Sequence, residues 1–275
     1  MIKQKNKLMN RNKREETIMI FYFTATGNCL HVARQFEESP ISIPQVINQE
    51  NLVFKDETIG IVWPIYAGEP PKMVLDFLKK STFQTDYLYM ILTYGKNDSD
   101  APEYVDHLCQ SFGMKINYIK TILMVDNYLP SFDMDEEKAI NKHVDQQIQV
   151  ALADIKARKN EIPEASQESR DFHARAAKIF ADNPALINGE QITVTDQCIG
   201  CGICTKVCPI ANFYIVNKMA KRHSEVCEFC LACAHHCPQK AIITKVSDKN
   251  PKARYRNEHV TLQDIIRSNQ QDEYN

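Results

Sequence analysis

The sequence predicts a doubly wound α/β domain with a parallel sheet in strand order 2-1-3-4-5, followed by a small α+β domain built around cysteines. Two observations carry this. Between residues 17 and 125, five apolar runs alternate with segments of helical apolar spacing. Several runs are apolar on both faces, which suits a parallel sheet covered by helices. Towards the other end, eight of the ten cysteines fall into two runs of identical spacing.

The elements follow in order. TIMIFYF (17–23), ETIGIVW (57–63), YLYMILTY (87–94) and INYIKTILMV (116–125) are the expected strands. ISIPQVI (41–47) is a weaker one, and its Pro44 suits a sheet edge. CLHVARQFEE, PPKMVLDFLKK and PEYVDHLCQSF have helical spacing, with Pro71 where a proline opens a helix. From Met134 to about Arg158 one long helix is expected, with Ile140, Val144, Ile148, Ala151 and Ile155 as its apolar stripe. A polar link (159–169) leads to a further helix around Asp171 to Asp182. The expected units are therefore an α/β domain (17–132), a helical connector (133–184), the cysteine domain (185–245) and a polar tail (246–275).

Composition narrows the function classes. With 44% hydrophobic and 25% charged residues and a formal net charge of −2, the chain has a globular composition without the basic excess of a nucleic-acid binder. The first sixteen residues hold six Lys/Arg against two Glu, a local excess of +4, and are expected to be a disordered leader. Translation starting at Met19 would remove that leader altogether. No apolar stretch follows it that would make a secretory signal, and no membrane span is expected. A cytoplasmic setting follows, in which cysteines serve metals rather than disulfides.

The two runs, CIGCGICTKVCP (198–209) and CEFCLACAHHCP (227–238), each read C-x2-C-x2-C-x3-C-P. Three thiolates at such short spacing converge on one centre, while the fourth is displaced. This matches the two-cluster bacterial ferredoxin signature, in which the fourth cysteine ligates the other cluster. One [4Fe–4S] cluster is thereby expected on Cys198, Cys201, Cys204 and Cys237, and the second on Cys208, Cys227, Cys230 and Cys233. Zinc, which also takes paired CxxC motifs, is the alternative. His235 and His236 lie inside the second run and are read as surface or packing residues, since each cluster already has four cysteines. Cys109 matches no metal spacing and reads as a semi-buried helix residue.

FYFTATGNC (21–29) places a polar loop after the first strand and before a helix, where backbone N–H groups and the helix dipole suit a phosphate. It is neither a P-loop nor G-x-G-x-x-G, and a plain capped turn is the competing reading. The loop T-A-T-G-N resembles the flavodoxin phosphate loop. WPIYAGE (63–69) and TYGKND (93–98) fall where flavodoxins carry their ring-binding segments. Together with PIYAGEPPKMVLDFLKK, DNYLPSF and the Cys-Pro runs, these motifs make residues 17–245 resemble flavodoxin–ferredoxin fusion proteins. The resemblance implies FMN held by Thr24, Ala25, Thr26, Gly27, Asn28 and Cys29. Trp63, Pro64, Ile65, Tyr66, Gly68, Thr93, Tyr94 and Gly95 would line its ring. Cys29 departs from the family's usual Ser or Thr, and a thiol is a poorer phosphate partner than a hydroxyl.

The expected function is an electron-transfer flavoprotein relaying electrons between FMN and two [4Fe–4S] clusters, most simply a reductase. No acid–base dyad or nucleophilic triad is visible in the sequence. The alternatives are a carrier between protein redox partners and a redox-sensing regulator. A redox protein or a small-molecule donor or acceptor is the expected partner, nucleic acid is not, and a homo-oligomer stays open.

Overall fold

The computed structural model describes residues 18–223 and 226–269. The expected basic leader lies outside the described residues. The central sheet comprises β1 (Ile18–Tyr22), β2 (Ile41–Ser42), β3 (Thr58–Pro64), β4 (Tyr87–Tyr94) and β5 (Tyr118–Leu123), all parallel, in the order β2-β1-β3-β4-β5. That is the predicted flavodoxin-like order, whose switch point lies between β1 and β3. Ile20, Phe21, Ile59, Ile61, Trp63 and Tyr89 are completely buried, because helices cover both faces. These helices are α1 (Asn28–Phe36), α2 (Lys72–Lys80) and α3 (Ala101–Ser111). Phe21, Phe54, Phe77 and Phe83 form one aromatic cluster beside the sheet, with ring centroids 4.5–6.0 Å apart.

Two local expectations need correction. Of the expected edge strand 41–47 only Ile41 and Ser42 pair; Ile43–Val46 turn helical, with Pro44 in the first turn where its missing N–H costs nothing. The long helix 134–158 is two helices, Met134–Ala139 and α4 (Val144–Lys156). Ile140 is extended, His143 takes φ +51°, and the Asn141 side chain accepts the His143 N–H at 2.9 Å, a local turn that competes with helix. Ile140 is therefore 51% exposed, while Ile148, Ala151 and Ile155 of α4 are buried as the stripe requires.

α5 (Gln167–Asp182) is capped by Ser166, whose hydroxyl accepts the Ser169 N–H at 3.1 Å. The cysteine-rich part contains β6 (Ile192–Val194), α6 (Ile203–Val207), the hairpin β7–β8 (Phe213–Val216, Met219–Arg222), α7 (Ala232–His235) and β9 (Ile242–Thr244). β9 pairs antiparallel with β6. Residues 246–269, polar in sequence, are not a loose tail: they return to the α/β domain and end in α8 (Leu262–Asn269). Arg34 pairs with Asp264 at 2.7 Å, Tyr22 and Ser268 share a 2.8 Å hydrogen bond, and Asn269 donates to the Val207 carbonyl at 3.0 Å.

Candidate iron–sulfur and anion sites

Two cavities lie in the cysteine-rich part. Cys198, Cys201, Cys204 and Cys237 line one, of about 330 Å³ with part of it open to solvent. Cys208, Cys227, Cys230 and Cys233 line the other, of about 390 Å³ on the same measure. Each cavity thus takes three cysteines from one run and the fourth from the other. The short helices α6 and α7 bring this about: each carries the third cysteine of its run, and the Cys-Pro that follows turns the fourth towards the neighbouring cavity. Among the described residues no three such ligands close on a single ion position. The sulfurs instead stand around a space, as ligands to separate irons would.

Backbone amides address the sulfurs. The N–H groups of Asn212, Ala220, Phe229 and Ala241 donate to Cys208, Cys198, Cys227 and Cys237, each at 3.3 Å. Burial pushes the Cys204 thiol up to about 12 and Cys208 to about 11, and raises Cys230 and Cys233 well above the ordinary thiol value. Binding metal there must therefore displace protons.

The two cavities differ in setting. Around the first, Cys201 is exposed and Ile199 is 58% exposed. The second faces inward: Cys230 belongs to the same apolar core as the central sheet, with half-buried Tyr66 packed against that core. Glu228, on the rim of this cavity, accepts the Met73 N–H with both carboxylate oxygens at 3.1 and 3.3 Å, and so caps the positive end of α2. The Tyr66 phenol is raised well above its ordinary value, first by burial and then by Cys230, Cys29 and Glu228. Tyr66 is thus within electrostatic reach of both the amino-terminal loop and the second run of cysteines.

A comparison with known proteins decides the chemistry of the cysteines. The 4Fe-4S dicluster domain family matches residues 191–238. An uncharacterized ferredoxin of Methanocaldococcus jannaschii is 35% identical over 72 residues, covering 25% of this chain and 94% of that one. Through this segment the chain belongs to the dicluster ferredoxins. An uncharacterized polyferredoxin-like protein of the same organism is 29% identical over 72 residues, and the chain spans only 43% of its length. A putative flavoprotein from Bacteroides uniformis is 13% identical, covering 45% of this chain and 96% of that one with a TM-score of 0.31. The ferredoxin segment makes the protein an iron–sulfur protein of electron transfer, and zinc drops out.

The second site is the loop after β1. Thr24, Ala25, Thr26, Asn28 and Cys29 are all buried. Gly27 has φ +102°, and a Cβ there would lie 2.9 Å from Val260 Cβ, so only glycine fits. The Gly27 N–H goes to Thr24 Oγ1 at 3.1 Å, and no side chain caps α1. The N–H groups of the first turn, Asn28 to Leu30, thus stay free for an anion, which this donor set fits. Cys29 Sγ and Thr93 Oγ1 share a 3.2 Å contact, and the Ile65 N–H reaches the Thr93 carbonyl at 2.8 Å. These bonds bring the three predicted loops together at the carboxyl ends of β1, β3 and β4. Burial pushes the Cys29 thiol up to about 12, so it stays neutral.

Not every predicted residue joins this site. Tyr66, Tyr94, Pro64, Ile65 and Gly95 are half-buried at the strand ends, and Gly68 is buried in the tight turn that Tyr66 and Glu69 close. Trp63 lies wholly within the core and has no open face for stacking. The Asn28 side chain is also committed elsewhere: Nδ2 donates to the Val125 carbonyl at 3.2 Å, and Oδ1 accepts from Tyr255 Oη at 2.6 Å and Asn257 Nδ2 at 3.2 Å. Tyr255 and Asn257 escape a reading by motif because they sit in a polar stretch matching none; a Tyr-x-Asn in an otherwise charged segment is their one signal. His235 and His236 are buried packing residues, pushed down by burial to about 3 and about 4.

Proposed function

We propose that the chain is an electron-transfer flavoprotein of the flavodoxin–ferredoxin fusion type, an oxidoreductase that joins FMN to two [4Fe–4S] clusters. The observation that carries this reading is the junction between the halves. Cys230 packs into the core of the flavodoxin-like domain and Glu228 caps α2, so one cluster position abuts the domain that bears the anion loop. Cys198, Cys201, Cys204 and Cys237 would hold the outer cluster, and Cys208, Cys227, Cys230 and Cys233 the inner one. The free N–H groups of Asn28, Cys29 and Leu30 would take the FMN phosphate, and Tyr66 and Tyr94 would flank its ring. FMN, when bound, supplies exchange of either one or two electrons.

The chain's own residues set the direction. The inner cavity is lined by Arg222, Asn212 and Glu228 as well as apolar side chains and lies against the core of the flavodoxin-like domain through Cys230, while the outer one has exposed Cys201 and Ile199 beside it. An outside redox partner therefore meets the chain at the Cys201 face, and an organic donor or acceptor at the strand ends around Tyr66 and Tyr94. Among the described residues no helix is long and apolar enough to cross a membrane. A cytoplasmic setting suits thiols kept reduced for cluster binding.

A second reading, a carrier between two proteins, is favoured by the absence of a dinucleotide fingerprint from the sequence. Anaerobic assays separate the two. Reduction of the bound flavin by NAD(P)H or a quinol, with turnover, supports the oxidoreductase. Exchange only with reduced protein donors supports the carrier and overturns the oxidoreductase.

A further inference from the structure

The phosphate loop and the cluster-bearing turn belong to one hydrogen-bonded ring. Thr26 Oγ1 accepts from Asn127 Nδ2 at 2.7 Å. The Asn127 carbonyl accepts from His235 Nε2 at 2.8 Å, and His235 Nδ1 accepts the Tyr255 N–H at 3.1 Å. Tyr255 Oη closes the ring by donating to Asn28 Oδ1, and the Asn257 N–H adds a strut to the Thr26 carbonyl at 2.8 Å. Having accepted the Tyr255 N–H at Nδ1, His235 carries its proton on Nε2, which is the tautomer the Asn127 carbonyl needs. His235 lies in α7 between Cys233 of the inner cluster and Cys237 of the outer one.

The ring disposes the loop's donors. Thr26 Oγ1, already accepting from Asn127, keeps its own O–H to donate. The Asn28 side chain is fully occupied by Val125, Tyr255 and Asn257, which fixes the start of α1 without drawing on its first-turn backbone N–H groups. Val260 and Asn257 press on Gly27 from the far side. Asn127 and Val125 belong to the flavodoxin-like domain, whereas His235, Tyr255, Asn257 and Val260 reach the loop from the cysteine-rich part and the segment after it.

We propose that Tyr255, Asn127 and His235 are positioning residues for the phosphate of a flavin mononucleotide, His235 acting as the tie between the cluster turn and the phosphate loop. The proposal rests on the reading that the Thr24–Cys29 loop holds that phosphate. FMN and riboflavin, which differ only in the phosphate, are titrated separately into flavin-free, cluster-loaded protein and followed by quenching of flavin fluorescence. The unmodified chain should prefer FMN. In Tyr255→Phe and His235→Gln that preference should fall about tenfold, the size of one lost buried hydrogen bond, with riboflavin affinity unchanged.

An undiminished preference for FMN in both variants overturns the proposal, and so does equal weakening of both ligands, which marks a merely structural role. If His235→Gln loses iron, Tyr255→Phe, which removes a single oxygen, decides alone. Failure of the unmodified chain to bind FMN appears before any substitution and overturns the phosphate-loop reading and this inference together.

Discussion

Cys208 belongs by sequence to the first run and by position to the second cavity. Crossed ligation makes a definite prediction. Cys208→Ala should cut iron from about eight to about four per chain, the content of one cubane cluster. Adding Cys227→Ala should cost no more iron, whereas adding Cys198→Ala should remove the rest; iron analysis of the anaerobically purified variants reads all three. Gly27 is the other single position on which much depends. Gly27→Ala would force a Cβ against Val260 at φ +102° and should cost about 1–3 kcal/mol. An unchanged denaturation midpoint would contradict the contact. The cysteines were legible in the sequence because ligand spacing is local and chemically specific. Tyr255 and Asn257 were not: their partners lie more than 220 residues away, and no periodicity encodes such a contact.

Elements were legible where burial on both faces wrote continuous apolar runs, as in β3 and β4, and least so where a side chain overruled the pattern. The Asn141 turn broke a stripe that apolar spacing alone had joined. Glu228 at the amino end of α2 is an element-scale device: a carboxylate beside the inner cavity disfavours added negative charge there. Glu228→Gln keeps an acceptor for the Met73 N–H and should raise the inner cluster's one-electron reduction potential by roughly 100 mV, from Coulomb's law at an effective dielectric of about 20 and a separation of about 7 Å. A redox titration followed by electron paramagnetic resonance would show it, and an unshifted potential would place Glu228 too far away to matter. The connector helix α5 is tethered differently. Arg170 donates to both oxygens of Glu103 at 2.7 Å and holds that carboxyl down to about 2. The contribution is present above the unfolded value near 4.5 and is lost as pH falls towards 2. Because Arg170 is exposed, Glu103→Gln should cost no more than about 1 kcal/mol at pH 7 and nothing near pH 2, as denaturant titrations at the two pH values would report.

Across the whole molecule, the chain passes from a flavodoxin-like sheet to a dicluster ferredoxin and back. The last described segment, residues 246–269, stitches the two: Arg254 donates to the Ala234 carbonyl in α7 at 3.0 Å, and α8 packs on α6 and on the Ile43–Val46 turn. This return explains why the anion loop is buried although it stands at an open end of the sheet. The central claim, that one chain unites a flavin with two clusters, is tested most directly by anaerobic purification followed by iron, sulfide and flavin analysis. The account predicts about eight iron, about eight sulfide and one FMN per chain. Full iron and sulfide with no flavin, even after incubation with FMN, would contradict it.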